Sequence, residues 1–362
     1  MAITSNKGEW AEFYAFLKIL AERQLLAADE NLQATERVFI FQKVIRQDAK
    51  EQPIRVYDLT GDVNSIPIKN DTETETVRVF DATVLREKTR RIFERIRDNE
   101  KTFAIPEAEE LMNELLCTRI KASNEEKADL VAIIHDRISE SSPMLGFSIK
   151  SMVGGASTLL NAGKTTNFVY EVKGFTGNMD EVNAIATSSK IRDRISLIKE
   201  QDGTFEFSNV ADEQFDGNLR MIDTALPDFL AHMVFDFFTD ARRTIPELVE
   251  GLASSEDMRS KYKLTPENYS YKIRNFLDAI ALGMVPSKPW DGFMKAHGGY
   301  IVVKEDGEVV CYHLYNRDKF QMYLYKNTRL ESASSSRHEY GSLYEKNGKL
   351  YFNLNLQIRF LK

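Results

Sequence analysis

Two short apolar runs flanking a polar break, Asp129-Leu-Val-Ala-Ile-Ile-His135 and Met144-Leu-Gly-Phe-Ser-Ile-Lys150, constrain this chain more than any other stretch. Both are short and rich in β-branched or apolar residues, so they predict two strands joined by a turn. In the second run Leu145, Phe147 and Ile149 alternate with Gly146, Ser148 and Lys150, which puts Ser148 and Lys150 on one strand face. An antiparallel pairing would bring Asp129 near that end, because both lie distal to the turn at 139–143. A carboxylate, a hydroxyl and an ammonium around one point suit a metal ion and a phosphodiester. Read alone, Asp129 is either a strand-entry residue or a ligand.

At 362 residues the chain is long enough for about two domains or one elaborated domain. Residues 1–8 hold no signal-like apolar run, and no segment offers the roughly 18 uninterrupted apolar residues of a membrane span, so a soluble intracellular protein is expected. Cys117 and Cys311 lack CxxC spacing, and His135, His232, His297, His313 and His338 form no HExxH pair. Carboxylates binding a hard cation are then the main metal option. The net charge of -7 argues against diffuse nucleic-acid binding over the whole surface but leaves room for a local basic groove.

Along the chain, Trp10, Phe13, Leu17 and Leu20 predict an amphipathic helix over 6–24, with Glu9 and Glu12 beside its apolar stripe. These acids are either a solvated pair near a helix N-terminus, or one of them leans into a site. Strands are expected at 36–45, 54–59 and 77–79, a polar loop with Pro67 over 64–77, and helices over 81–99 and 106–117. The central hairpin fills 128–151, and a strand carrying Glu171 follows at 166–173. Helical patterns cover 179–199, 212–255 and 265–284. The C-terminal part alternates strand-like runs at 300–304, 309–314 and 350–360 with Asp-Gly and Asn-Gly turns.

Two further stretches invite a chemical reading. Thr158-Leu-Leu-Asn-Ala-Gly163-Lys164-Thr165 resembles a phosphate-binding loop of ATPases, although Thr158 stands where the first glycine belongs. Residues 326–362 hold seven Lys or Arg against three Glu, and Arg329, Ser334, Ser335, Ser336, Arg337 and His338 concentrate side chains that bind bases and phosphates. The bland alternative is a polar loop between strands. A basic run at 86–95 reads as a solvated helix face.

Several pieces together resemble the HpaII family of type II restriction endonucleases. They are Asn6-Lys-Gly-Glu-Trp-Ala-Glu, Gly146-Phe-Ser-Ile-Lys-Ser151, Thr158-Leu-Leu-Asn-Ala162 with Thr166-Asn-Phe-Val-Tyr-Glu171, Gly298-Gly-Tyr-Ile301, and Ser334-Ser-Ser-Arg-His338 followed by Asn353-Leu-Asn-Leu-Gln-Ile-Arg-Phe360. The resemblance implies an α/β (α+β) fold with a PD-(D/E)XK nuclease core, a mixed central sheet flanked by helices, and helical and β-hairpin elaborations for DNA recognition. It divides the chain into a nuclease core at 1–210 and a recognition region at 211–362.

By the same resemblance the catalytic set is Asp129, Ser148, Lys150 and Glu9, with Mg²⁺ held by Asp129, Glu9 and Ile149. Ser148 stands where the motif carries an acid, which shifts weight to Glu9, with Glu12 and Glu171 as the other candidates and Asp136 as the alternative to Asp129. Arg329, Ser334, Ser335, Ser336, Arg337, His338 and Arg359 are the expected DNA contacts. The implied substrate is double-stranded DNA with a short CCGG-like palindrome, cut to leave 5′-phosphate ends. The implied partners are a second copy of the chain and a DNA methyltransferase of the same system. A non-cutting DNA-binding protein of this fold is the other reading.

Overall fold

The computed structural model describes residues 2–122, 128–135 and 140–361; Asp136 lies outside the described residues. The chain forms two compact units, Met1–Ser157 with Met294–Tyr323 and Thr158–Phe293 with Leu324–Leu361. The expected boundary at 210/211 therefore does not coincide with the compact units. The chain leaves the first unit after Ser157 and returns to it at Met294, and no local pattern announces such a return.

The first unit begins with β1 (Thr4–Asn6) and α1 (Lys7–Glu22), followed by β2 (Gln24–Ala28), β3 (Ala34–Arg46), β4 (Arg55–Asp58), β5 (Ser65–Lys69) and β6 (Thr76–Asp81). Next come α2 (Leu85–Asp98), β7 (Thr102–Ala104), α3 (Pro106–Glu114), β8 (Leu130–His135) and β9 (Met144–Ser151). The second unit opens with β10 (Thr158–Leu160), β11 (Asn167–Lys173), α4 (Met179–Ala184), α5 (Lys190–Glu200) and β12 (Thr204–Val210). It continues through α6 (Glu213–Ile222), α7 (Leu226–Thr239), α8 (Ile245–Ser254), α9 (Glu256–Tyr262) and α10 (Pro266–Leu282). β13 (Gly299–Val303), β14 (Val309–His313) and most of α11 (Arg317–Lys326) rejoin the first unit. β15 (Thr328–Leu330), α12 (Ser335–His338), β16 (Leu343–Lys346), β17 (Lys349–Asn355) and β18 (Ile358–Phe360) complete the second.

A nine-stranded mixed sheet, in the order β2-β14-β13-β9-β8-β3-β4-β5-β6, organises the first unit. β8 and β9 pair antiparallel with Leu130 opposite Phe147. β13 runs parallel to β9 and β14 parallel to β2, while β2 also pairs antiparallel with β3, so these strands close on themselves. Gly307 makes the β13–β14 turn at a φ of 88°, and a Cβ there would meet the Phe93 ring at 2.8 Å, so glycine is required on both counts.

α1 forms where its pattern predicts. Asn6 caps it by accepting from the Glu9 N–H at 3.0 Å, and Trp10, Phe13, Leu17 and Leu20 are fully buried. That stripe shares one core with Phe147 and Ile149 of β9. Each such side chain withdrawn from water contributes about 1.5–3 kcal/mol, and Trp10 loses no hydrogen bond because its ring N–H donates to the Phe103 carbonyl at 3.0 Å. β5 corrects the loop expected over 64–77. Pro67 pairs with Val79 of β6, whereas the pairing to β4 stops at Ile68, so the missing N–H breaks none of the pairings to β4.

In the second unit the antiparallel sheet β12-β11-β17-β16 and the smaller sheet β10-β18-β15 pack with helices. The Tyr170 hydroxyl of β11 donates to the Ala231 carbonyl of α7 at 2.6 Å. The helical stretch expected over 212–255 is three helices. Pro227 and Pro246 stand in first turns, where a missing N–H costs nothing. No described helix is long and apolar enough to cross a membrane.

Candidate active site

The β8–β9 hairpin brings Asp129 against the start of the Ser148–Lys150 segment. The Asp129 N–H donates to the Phe147 carbonyl at 2.8 Å, which fixes the backbone. One carboxylate oxygen, Oδ2, then accepts from the Ser148 hydroxyl at 3.1 Å and from the Ile149 N–H at 2.7 Å. Ser148 is buried and Lys150 half-buried. The Ser148 hydroxyl, where an acid was expected, therefore orients Asp129; it adds no charge.

Glu9, the expected second acid, is committed to its own helix. Its carboxylate accepts from the Ser5 hydroxyl and from the Asn6 N–H, the latter at 3.4 Å, completing a capping box. The next acid along α1, Glu12, shares with Asp129 a cavity of about 30 Å³ that Lys121, Arg46, Phe16 and Ile149 also line. One helical turn separates the two acids, and of the two Glu12 lines this cavity.

The electrostatics of this cavity follow from its burial. Desolvation, then the charge of Asp129, push the Glu12 carboxyl up to about 7, against the opposing charges of Lys121 and Lys150. Glu12 pairs with Lys121 at 2.9 Å. Burial lowers the Lys121 ammonium, yet the carboxylates of Glu12, Asp129 and Glu9 outweigh that and leave it raised. The segment bearing Lys121 is held by Arg46, which pairs with Asp48 at 2.6 Å and donates to the Ile120 carbonyl at 3.0 Å.

Two half-buried carboxylates that share one cavity are relieved of their mutual repulsion by a cation. A cavity of this size has room for an ion and a water and not for a nucleotide. Asp129 and Glu12 thus fit a small hard cation. Ile149 could offer only its backbone, because its side chain is in the core and its N–H is taken. Among the described residues, no three His, Cys, Asp or Glu side chains cluster as a metal cage.

The remaining expected residues fall in the second unit. Glu171 pairs with Lys349 at 3.0 Å, across the β11–β17 sheet. Arg329 and Arg359 stand opposite each other on β15 and β18, and Glu331 bridges them at 2.9 and 2.8 Å. Ser334, Ser335, Ser336, Arg337 and His338 form the short helix α12 and its cap, anchored where the Asn167 amide donates to the His338 carbonyl at 2.9 Å. Arg337 is exposed.

The supposed ATPase loop is no phosphate cradle. Thr158–Leu160 is a strand paired with β18, Lys164–Thr166 is one turn of 3₁₀ helix leading into β11, and Lys164 pairs with Glu339. No α-helix N-terminus follows the glycine, so the backbone N–H groups that such a loop aims at phosphates are not gathered. In the basic run at 86–95, Arg91 pairs with Glu87, Arg90 with Glu94 at 3.6 Å and Lys88 with Glu114 at 3.6 Å, as a solvated face does.

The sequence pairs Glu12 with Glu9 on one helix but puts Glu9 first and Glu171 next, and it gives no sign of Lys121. The missing signal was the tertiary contact that brings Glu12, Lys121 and Asp129 to one cavity. Glu12 sits between the core residues Ala11 and Phe13, and a helix face this apolar on both sides draws the residue toward the sheet.

The sequence pattern described as HpaII restriction endonuclease matches residues 6–360. The type II restriction enzyme HpaII of Haemophilus parainfluenzae is 35% identical over 360 residues, which is 99% of this chain and 99% of that relative. No solved structure matches the chain.

Proposed function

Because the chain belongs to the HpaII restriction endonuclease family and is a site-specific deoxyribonuclease, we propose that it cuts DNA at the Asp129–Lys150 hairpin with Glu12 as the second acid. The observation that carries this reading is the cavity that Asp129 and Glu12 share beside Lys121. The first unit then acts as a PD-(D/E)XK-type nuclease core, and the second unit holds the surfaces that read DNA.

Asp129 and Glu12 hold a divalent ion, Mg²⁺ by its preference for one or two carboxylates with phosphate oxygens and water. When bound, such an ion acidifies water and offsets negative charge on the phosphate. Ser148 and the Ile149 N–H keep Asp129 in one orientation, so no rotamer search precedes binding. Lys150 supplies positive charge where the pentavalent phosphate gains negative charge. Lys121 keeps the Glu12 carboxylate from leaving the cavity when the ion is absent. In-line attack by water leaves 5′-phosphate and 3′-hydroxyl ends.

The target is a short palindrome of CCGG type, read by residues between Arg329 and Arg359. Two-fold symmetry of such a site is met by a homodimer. A methyltransferase of the same specificity protects the host DNA. Digesting plasmid with the purified protein and Mg²⁺, then sequencing the fragment ends, tests the reading. Discrete ends at one palindrome are expected. Ends scattered over unrelated sequences overturn the target, and full cleavage by Asp129→Ala overturns the site.

A further inference from the structure

One feature of the second unit borders the expected base readers Arg329 and Ser335 but is lined mainly by residues not assigned to them. A cleft of about 610 Å³ opens between the N-terminal end of α5, the C-terminal end of α7 and the segment after β15. Lys190, Arg192, Arg243 and Arg329 line it, against the single acid Glu331 among its described lining residues.

Arg192 and Arg243 are placed by neutral groups, whereas Arg329 pairs with Glu331 at 2.9 Å. Arg192 donates to the Asp240 carbonyl at 2.7 Å and to the Phe238 carbonyl at 3.4 Å. Arg243 donates to the Phe237 carbonyl and lies over the Phe237 ring, 4.5 Å from its centroid. Those carbonyls end α7, where the helix dipole favours a cation. None of the neighbouring carboxylates forms an ion pair with the Arg192 or Arg243 side chain among the described residues. Asp240 pairs with Arg242 at 3.0 Å, Glu247 accepts from the Arg243 and Thr244 N–H groups at 3.0 and 2.9 Å, and Glu331 bridges Arg329 and Arg359.

Two guanidiniums held on the carbonyls of one helix end repel each other. Burial first, then the charge of Arg192, push the Arg243 guanidinium down, and only Glu247 opposes them. A polyanion relieves that repulsion. The hydroxyls of Ser188, Ser189 and Ser335 add donors of the kind phosphate oxygens accept, and the Ser189 side chain is not used to cap α5. The volume far exceeds one phosphate, which suits a run of backbone.

We propose that this cleft is a sugar-phosphate clamp, in which Lys190, Arg192 and Arg243 grip the backbone of the DNA substrate without reading its sequence. The proposal rests on the DNA-cleaving reading and adds residues that set affinity and register. Phosphate contacts of this kind release counterions, so they act through salt dependence and act alike on all sequences.

The test is equilibrium binding of the full chain, with metal chelated, to a duplex that the wild type cuts and to a scrambled duplex, over ~50 to 200 mM salt. For the double variant Arg192→Ala with Arg243→Ala, the slope of log K against log salt should become shallower by about 0.9 per lost contact, and affinity should fall by the same factor on both duplexes. An unchanged slope, or a loss confined to the cut duplex, overturns the clamp. If the arginine variants do not fold, Lys190→Ala decides in the same way with a change of about 0.9. A wild type that cuts plasmid while these variants keep its slope removes the clamp alone; a wild type that neither binds nor cuts removes the nuclease reading beneath it.

Discussion

Glu12 of the first helix and Asp129 of the central hairpin line one small cavity, and the charge of Asp129 is, after burial, the main reason Glu12 holds its proton up to about pH 7. Residues far apart in sequence thereby become one electrostatic unit. Such a unit has consequences for activity and for stability.

Asp129→Ala and Lys150→Ala should each abolish detectable cleavage, a loss of at least about 10³-fold, while the metal-free chain still binds duplex. Gel-shift and plasmid-cleavage assays on the same preparations check both halves. Retained cleavage by either variant removes that residue from the reacting centre.

Glu12→Gln and Glu9→Gln should differ in kind. The first removes a cavity carboxylate and should cost cleavage about 10²-fold or more with little change in fold. The second weakens a capping box and should cost about 1 kcal/mol of stability with a modest change in rate. Urea melts beside single-turnover rates separate them, and the reverse pattern would return the acid to Glu9.

The metal-free protein should lose stability as pH rises from about 4.5 to about 7. A carboxyl raised from 4.5 to about 7 in the folded state binds more protons folded than unfolded across that window. Its stabilising contribution is complete below 4.5 and gone above 7, and at most it amounts to about 3 kcal/mol. Denaturation of chelated protein at several pH values should show this fall, and Glu12→Gln should flatten it.

Asp48→Ala should destabilise the first unit by about 3–5 kcal/mol, because it strands the buried Arg46 guanidinium without its partner. The loss should also release the segment bearing Lys121, so residual activity should fall in the folded fraction. Thermal melts and rates corrected for folded fraction measure the two effects.

If α12 reads bases as proposed, Arg337→Ala, at an exposed position, should weaken binding to the cut duplex about 10-fold or more and to scrambled duplex far less. Equal losses on both duplexes would make it a phosphate contact instead.

The amino-acid sequence alone determined the local elements whose cause is local: the capped amphipathic helix α1, the antiparallel hairpin carrying Asp129, Ser148 and Lys150, and the Asp-Gly turn that joins β13 to β14. Alternation, capping side chains and turn glycines act within a few residues, so they are legible in order along the chain. Its motifs also carried the family. Tertiary structure decided the rest. Only the fold shows that β13 and β14 return to the first sheet after the whole α4–α10 stretch, because strand pairing over such a separation leaves no periodic trace. Only the fold distinguishes Glu12, which lines the cavity with Asp129, from Glu9, which caps its own helix, since both acids have the same chemistry and lie one turn apart. And only packing holds Arg192 and Arg243 on the carbonyls ending one helix, where two charges distant from any motif share a cleft.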